Sequence, residues 1–217
     1  MNTAIERQIF FKGAMVRAIL SGQKTVTRRT LKMPHGFWET SATGELLPIP
    51  ANCPYGKPGD RLWVRETWSD VNLQGAPGIA YQADGDVRDL MEDASFLDEH
   101  GAFNYDAPRS KPYQFACWAE DLIAGIEGRW RPSIHMPRWV SRILLEITHV
   151  RVERLQDISN EQAIAEGVKS AEQDIDPDGN DYSPYELFGG LWTMINGMDS
   201  WNANPWVWVV EFKRVTP

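Results

Sequence analysis

The spacing of the β-type runs constrains this chain most. Arg61-Leu-Trp-Val-Arg-Glu-Thr-Trp68, Ile143 to Glu153 and Trp206-Val-Trp-Val-Val-Glu-Phe212 read as strands by composition. Only short helical patterns fall between the runs. A doubly wound sheet needs a regular long helix after each strand, and those are missing. The expected class is therefore α+β, a small mixed β-barrel with flanking helices. At 217 residues the chain suits one large domain, or one domain carrying an insertion.

Local signals place the helices. Met15, Val16, Ile19 and Leu20 share a face at helical spacing over 13–21, and Gly22 stands where a left-handed cap belongs. Lys24 to Arg29 then switches to β-branched alternation, a short strand. Residues 33–58 are rich in Pro and Gly and read as loop, with a strong turn signal from Tyr55 to Asp60. Ser159-Asn-Glu-Gln162 matches a capping box, so a helix should run over about 160–166 and close at Gly167. Ser183-Pro-Tyr-Glu186 is a second box, with Pro184 at the favoured first position. Its helix presents Leu187, Phe188, Leu191, Trp192 and Ile195 and ends at Gly197.

Residues 70–128 differ: acidic, weakly periodic, with Gly and Pro scattered. They read as an insertion with at most a short helix near 87–97. Residues 129–142 form a basic, aromatic loop, and 170–183 an acidic one. In 61–68, Leu62, Val64, Glu66 and Trp68 share one face, and Arg61, Trp63, Arg65 and Thr67 the other.

The net charge of −8 argues at first against a polyanion partner. It is unevenly spread. Residues 84–106 hold −7 and residues 172–186 hold −6, so the rest of the chain carries +5. Binding follows the local field, so nucleic acid stays open as a partner. No apolar run approaches the roughly 18 residues that span a membrane, and no membrane partner is expected. No secretory signal follows Met1, and the two cysteines, Cys53 and Cys117, suit a reducing cytoplasm.

Several side chains are chemical candidates. Lys24 and Thr27 place an amine near a hydroxyl, a possible base and nucleophile; a helix-end lysine also simply complements a dipole. Glu166 should sit at the negative end of its helix, so without a nearby cation its carboxyl should be pushed up, as suits a general base. Glu66 lies on an apolar face and must pair or open onto a cleft. Arg61, Trp63, Arg65, Arg129, Trp130, Arg131, Arg138, Trp139 and Arg142 interleave guanidinium groups, which bind phosphates, with rings, which stack bases; stacking on surface tryptophans and pairing to the acidic segments is the rival reading. Asp174 to Gly179 starts like a calcium loop, but position twelve is Tyr185 and the acid, Glu186, comes one later. His35, His100, His135 and His149 show no metal-ligand spacing, and no phosphate-loop, dinucleotide or hydrolase-elbow motif occurs. No cofactor or metal is expected.

Ala18-Ile-Leu-Ser-Gly-Gln-Lys-Thr-Val-Thr-Arg-Arg29 resembles the N-terminal signature of the ASCH domain, a branch of the PUA-like superfamily. Gly22, Lys24, Thr25, Thr27 and Arg29 match in order. Lys57-Pro-Gly-Asp-Arg-Leu-Trp-Val and Val209-Val-Glu-Phe are similar to later family segments, and the central insertion looks like the longer phage and prophage members. The resemblance implies a barrel with a cleft beside the first helix–strand junction. It also implies an amidohydrolase that removes the acetyl group from N4-acetylcytidine. Its Lys and Thr fall on Lys24 and Thr27, and its Glu falls on Glu166 in Ile158 to Val168. Arg29, Trp63, Arg65, Glu66, Arg129, Arg131 and Arg138 would then hold the modified nucleoside or RNA. The alternative is a non-catalytic RNA-binding module, or a ribonuclease, using the Arg/Trp surface. Salt separates these readings, because phosphate-led binding falls steeply as salt rises and nucleoside hydrolysis does not.

Overall fold

The structure is a computed structural model that describes residues 4–32, 38–40, 42, 44, 46–48 and 53–216. His35 and much of the 33–58 segment lie outside the described residues. The class is α+β. The chain divides into two units. The first comprises Met1–Ile9, Ala14–Val64 and Arg142–Pro217; the second comprises Phe10–Gly13 and Arg65–Ser141.

The first unit is framed by a five-stranded sheet. Its strands are β1 (Glu6–Phe10), β2 (Val26–Thr30), β5 (Arg61–Arg65), β9 (Leu144–Arg154) and β10 (Trp206–Val215), in the order β1-β5-β9-β10-β2. The β5/β9, β9/β10 and β10/β2 pairs are antiparallel. Strands β1 and β2 are its edges among the described residues. Within the segment read as loop, β3 (Trp38–Thr40) and β4 (Leu46–Pro48) pair with each other. Val207, Trp208, Val209 and Val210 are all buried, so β10 is covered on both faces.

Helix α1 (Gly13–Leu20) buries Met15, Val16, Ala18 and Ile19, the face its spacing predicts. Helix α3 (Asn160–Ala165) opens with the Ser159/Gln162 capping box, and α5 (Pro184–Asn196) with the Ser183/Glu186 box and Pro184 in the first turn. The acidic loop expectation for 170–183 fails in part. Residues 168–171 form a 3-10 turn that runs into α4 (Glu172–Ile175). The supposed start of a calcium loop at Asp174 is therefore helical. Among the described residues no three His, Cys, Asp or Glu side chains converge to hold a metal ion.

The second unit contains more structure than its weak periodicity suggests. Strands β6 (Trp68–Leu73), β7 (Ala76–Tyr81) and β8 (Val87–Asp89) form an antiparallel meander. Gln74 and Gly75 join β6 to β7 with φ of 52° and 99°, the positive pair that a two-residue hairpin turn needs. One core gathers Trp68, Ile79, Tyr81, Leu90, Phe96, Phe103, Phe115, Met136 and Val140. A smaller one holds Val71, Ala80, Ala119 and Leu122 under α2 (Ala119–Ala124). Neighbours along β6 and β7 divide between the two clusters, so side chains cover both faces of the meander. The helix expected near 87–97 is instead β8 and a 3-10 turn at Ala94–Phe96. Among the described residues no helix is long and apolar enough to cross a membrane.

Candidate active site

In the first unit, the end of α3 meets the entry to β2. The Lys24 amide donates to the Ala18 carbonyl and the Thr25 amide to the Ala165 carbonyl, both at 2.9 Å. These two bonds hold the residues before β2 between α1 and α3. Gly167, with φ of 83°, turns the chain away from α3. A Cβ there would lie 2.7 Å from Ala18 Cβ and 3.1 Å from Lys24 Cβ. Only glycine allows this approach, and the approach brings Glu166 over Lys24.

Lys24 and Glu166, 142 residues apart in sequence, touch directly. Lys24 Nζ donates to Glu166 Oε2 at 2.6 Å and to the Glu166 carbonyl at 2.7 Å. The second bond caps the C-terminal end of α3 with a cation, which suits the helix dipole. Arg28 holds the other carboxylate oxygen, with NH1 3.3 Å from Glu166 Oε1. Its NH2 donates to Glu153 Oε2 at 3.0 Å and to Gln162 Oε1 at 2.9 Å. Gln162 thus serves both the capping box and Arg28. The guanidinium also lies 5.9 Å from the Phe188 ring centre. The cation that the lone-helix-end argument lacked is therefore present twice.

Lys24, Thr27, Arg28 and Glu166 are each less than 5% exposed. Burial pushes the Lys24 amine below its ordinary range; the Glu166 carboxylate opposes this, and Arg29 and Arg28 add to it. A buried Lys–Glu pair is weak evidence for stability, because desolvation offsets most of the attraction.

Thr27 is buried on β2, whose side chains alternate in direction. Thr27 and Arg29 therefore face one side, and Val26 and Arg28 the other. Among the described residues the Thr27 hydroxyl is not part of the Lys24–Glu166–Arg28 network. Burial lowers the Arg29 guanidinium from its ordinary value, with the neighbouring Tyr55 and Glu166 opposing. Tyr55 is pushed up by burial, with Arg29 opposing. Arg29 and Tyr55 thus adjoin the same region. Trp63 is half-buried on β5, opposite Leu144 of β9.

The remaining candidates belong to the second unit. Arg65 Nε donates to the Met136 carbonyl at 3.0 Å, and its guanidinium lies over the Phe10 ring. Glu66 is 1% exposed, on the buried side that alternation predicts, and its amide meets Met136 Sδ at 3.3 Å. Arg131 pairs with Asp70, Arg129 is exposed, and Arg138 is half-buried in a 3-10 turn. Trp139 packs against Phe96 and Tyr113 beside the core, so it is not a free stacking ring.

Sequence reasoning missed Arg28, Gln162 and Gly167. Only Gly167 carried a local signal, as the helix-closing glycine. Comparison with protein-family models, curated proteins and solved structures returned no match.

Proposed function

We propose that this chain is an ASCH-type, PUA-like protein whose five-stranded sheet is the barrel-like frame of a site for a modified nucleoside or RNA. We further propose that the site hydrolyses an acyl group from the exocyclic N4 amine of a modified cytidine. The observation that carries the reading is the buried contact between Lys24 and Glu166, with Arg28 fixing the carboxylate.

The chemistry is amide hydrolysis in two halves. In this reading Thr27 Oγ bonds to the acyl carbon as its proton passes, through one intervening water, to a Lys24 amine that has given up its own proton. The carbonyl electron pair moves to oxygen, and the nearby cations stabilise that oxyanion. On collapse the carbon–N4 bond breaks, and N4 takes the proton back from the Lys24 ammonium. Free cytidine leaves, with an ester on Thr27. Water then attacks the ester, giving a proton to Lys24, and Thr27 leaves as its hydroxyl. The net reaction is amide plus water to amine plus carboxylic acid. Glu166 holds the Lys24 amine at 2.6 Å and stabilises the ammonium that forms in each half. Burial lowers the hold of the Lys24 amine on its proton, against the pull of the Glu166 carboxylate, and so eases the step in which it acts as a base. Arg29 and Trp63 are the groups of this unit assigned to the substrate.

The test is time-resolved chromatography of N4-acetylcytidine with the protein and with Lys24→Ala. Cytidine release that the variant abolishes supports the reading. No release above buffer excludes this substrate, and release by the variant at the wild-type rate excludes the mechanism.

A further inference from the structure

The second unit carries a cavity that the proposed hydrolysis does not use. It has a volume of about 500 Å³, within the range of small-molecule sites. Its wall includes Asp70, Gln114, Glu127, Arg129, Trp130 and Arg131, and every lining residue belongs to this one unit.

The wall is built around a fixed arginine. Trp68 and Arg131 exchange backbone hydrogen bonds at 3.2 and 2.7 Å, and Ser69 Oγ donates to the Arg129 carbonyl at 3.2 Å. Residues 129–131 are thereby stitched to β6. Arg131 Nε and NH2 reach Asp70 Oδ1 at 2.8 and 2.7 Å. The amides of Gln114 and Phe115 both donate to Asp70 Oδ2 at 3.0 Å. Phe115 presents its amide from a left-handed backbone, φ 50°, which a bulky residue rarely adopts. The carboxylate is thus saturated by four donors, and its role is to aim Arg131. The Arg131 guanidinium also lies 5.7 Å from the Trp68 ring centre and 5.4 Å from that of Tyr113. Its side chain is still 43% exposed, so part of the fork remains open.

Arg129 adds a second guanidinium. It is exposed and makes no ion pair among the described residues. Trp130 supplies a half-buried aromatic wall, packed against the small core of Val71, Ala80, Ala119 and Leu122. Glu127, also on the wall, is an acceptor that repels an anion and suits an amino group. Two guanidinium groups, one pre-aimed, match phosphate geometry. A ring wall and an acceptor match a base bearing an amine.

We propose that this cavity binds a nucleoside 5′-phosphate unit, with the phosphate on Arg129 and Arg131 and the base against Trp130 and Glu127. The unit is either a free mononucleotide or the 5′-terminal nucleotide of an RNA. The proposal does not depend on the hydrolytic reading.

Titration calorimetry of the full chain tests it, using cytidine 5′-monophosphate, cytidine, inorganic phosphate and a short RNA with and without a 5′-phosphate. The expected result is saturable binding of a 5′-phosphorylated probe, at least about tenfold tighter than cytidine or phosphate alone. Arg129→Ala, an exposed position that leaves Asp70 paired, should weaken it by about tenfold or more. Preference for the mononucleotide or for the phosphorylated RNA identifies the source, and either supports the proposal. The proposal is overturned if neither phosphorylated probe binds, if inorganic phosphate binds equally well, or if Arg129→Ala has no effect.

Discussion

Lys24→Met removes the amine and keeps most of its apolar stem. Glu166 Oε2 loses its donor at 2.6 Å and the Glu166 carbonyl loses its donor at 2.7 Å, while Oε1 keeps Arg28 at 3.3 Å. Both side chains of the pair are no more than 5% exposed, so solvent does not screen the loss. Breaking a buried pair from one side costs about 3–5 kcal/mol, and the remaining Arg28 contact puts this variant near about 3 kcal/mol. Glu166→Leu strands the Lys24 ammonium, while Arg28 retains Glu153 and Gln162, so a similar loss is expected. The double variant removes both buried charges. What remains is the carbonyl of residue 166 without its Lys24 donor and Arg28 NH1 without its Glu166 acceptor, each at about 1–3 kcal/mol. The double variant should therefore lose less stability than the sum of the two singles. Urea unfolding at pH 7 with unchanged m-values measures all four corners of this cycle. Singles that each cost under about 1 kcal/mol, or effects that simply add, would refute the buried-pair reasoning.

Gly167→Ala should destabilise by about 2–4 kcal/mol, from the positive φ and the close approach to Ala18 and Lys24 together; a shift in urea midpoint checks it, and full stability would contradict the packing. The pH dependence of kcat/KM on N4-acetylcytidine should rise as the Lys24 amine loses its proton, levelling off below the ordinary lysine range because burial lowers it. A rate that is flat through this range speaks against Lys24 as the base. In the second unit, burial alone would push the Asp70 carboxyl up, but the Phe115 amide, the Arg131 side chain and the Gln114 amide hold it below its usual value. Its folded value lies below its unfolded one. The stability it contributes is therefore present above about pH 4 and lost as pH falls through the folded value. Asp70→Asn should flatten that acid limb in thermal melts, and an unchanged limb would show that the carboxyl is not the linked group.

Much of the frame was legible because its signals are local. The two serine capping boxes, the 13–20 helix face, and strands β2, β9 and β10 rest on neighbours a few residues apart. The burial alternation of Leu62, Val64, Glu66 and Trp68 held even though the strand breaks after Arg65. The β6–β7 hairpin was missed because Gln74-Gly75 lacks the usual Asn-Gly signal, and Pro77 and Gly78 sit inside a strand. For the site, the dipole argument singled out Glu166, and the ASCH resemblance grouped it with Lys24 and Thr27. Neither pointed to Arg28, whose partners Glu153, Gln162 and Glu166 lie 125 to 138 residues away. Asp70 opens the acidic 70–128 segment, and nothing in its sequence neighbourhood sets it apart from the other acids there. Its burial depends on Arg131, 61 residues on, and no local pattern encodes that.

The rate of cytidine release from N4-acetylcytidine by wild type and by Glu166→Gln, compared at equal folded fraction, bears most directly on the Lys24–Glu166 pair. Glutamine keeps the shape and an acceptor but removes the charge that holds the lysine amine. A loss of at least about a hundredfold, with circular dichroism unchanged, is the expected result. Equal rates in the two proteins would mean that the buried pair does not carry the chemistry.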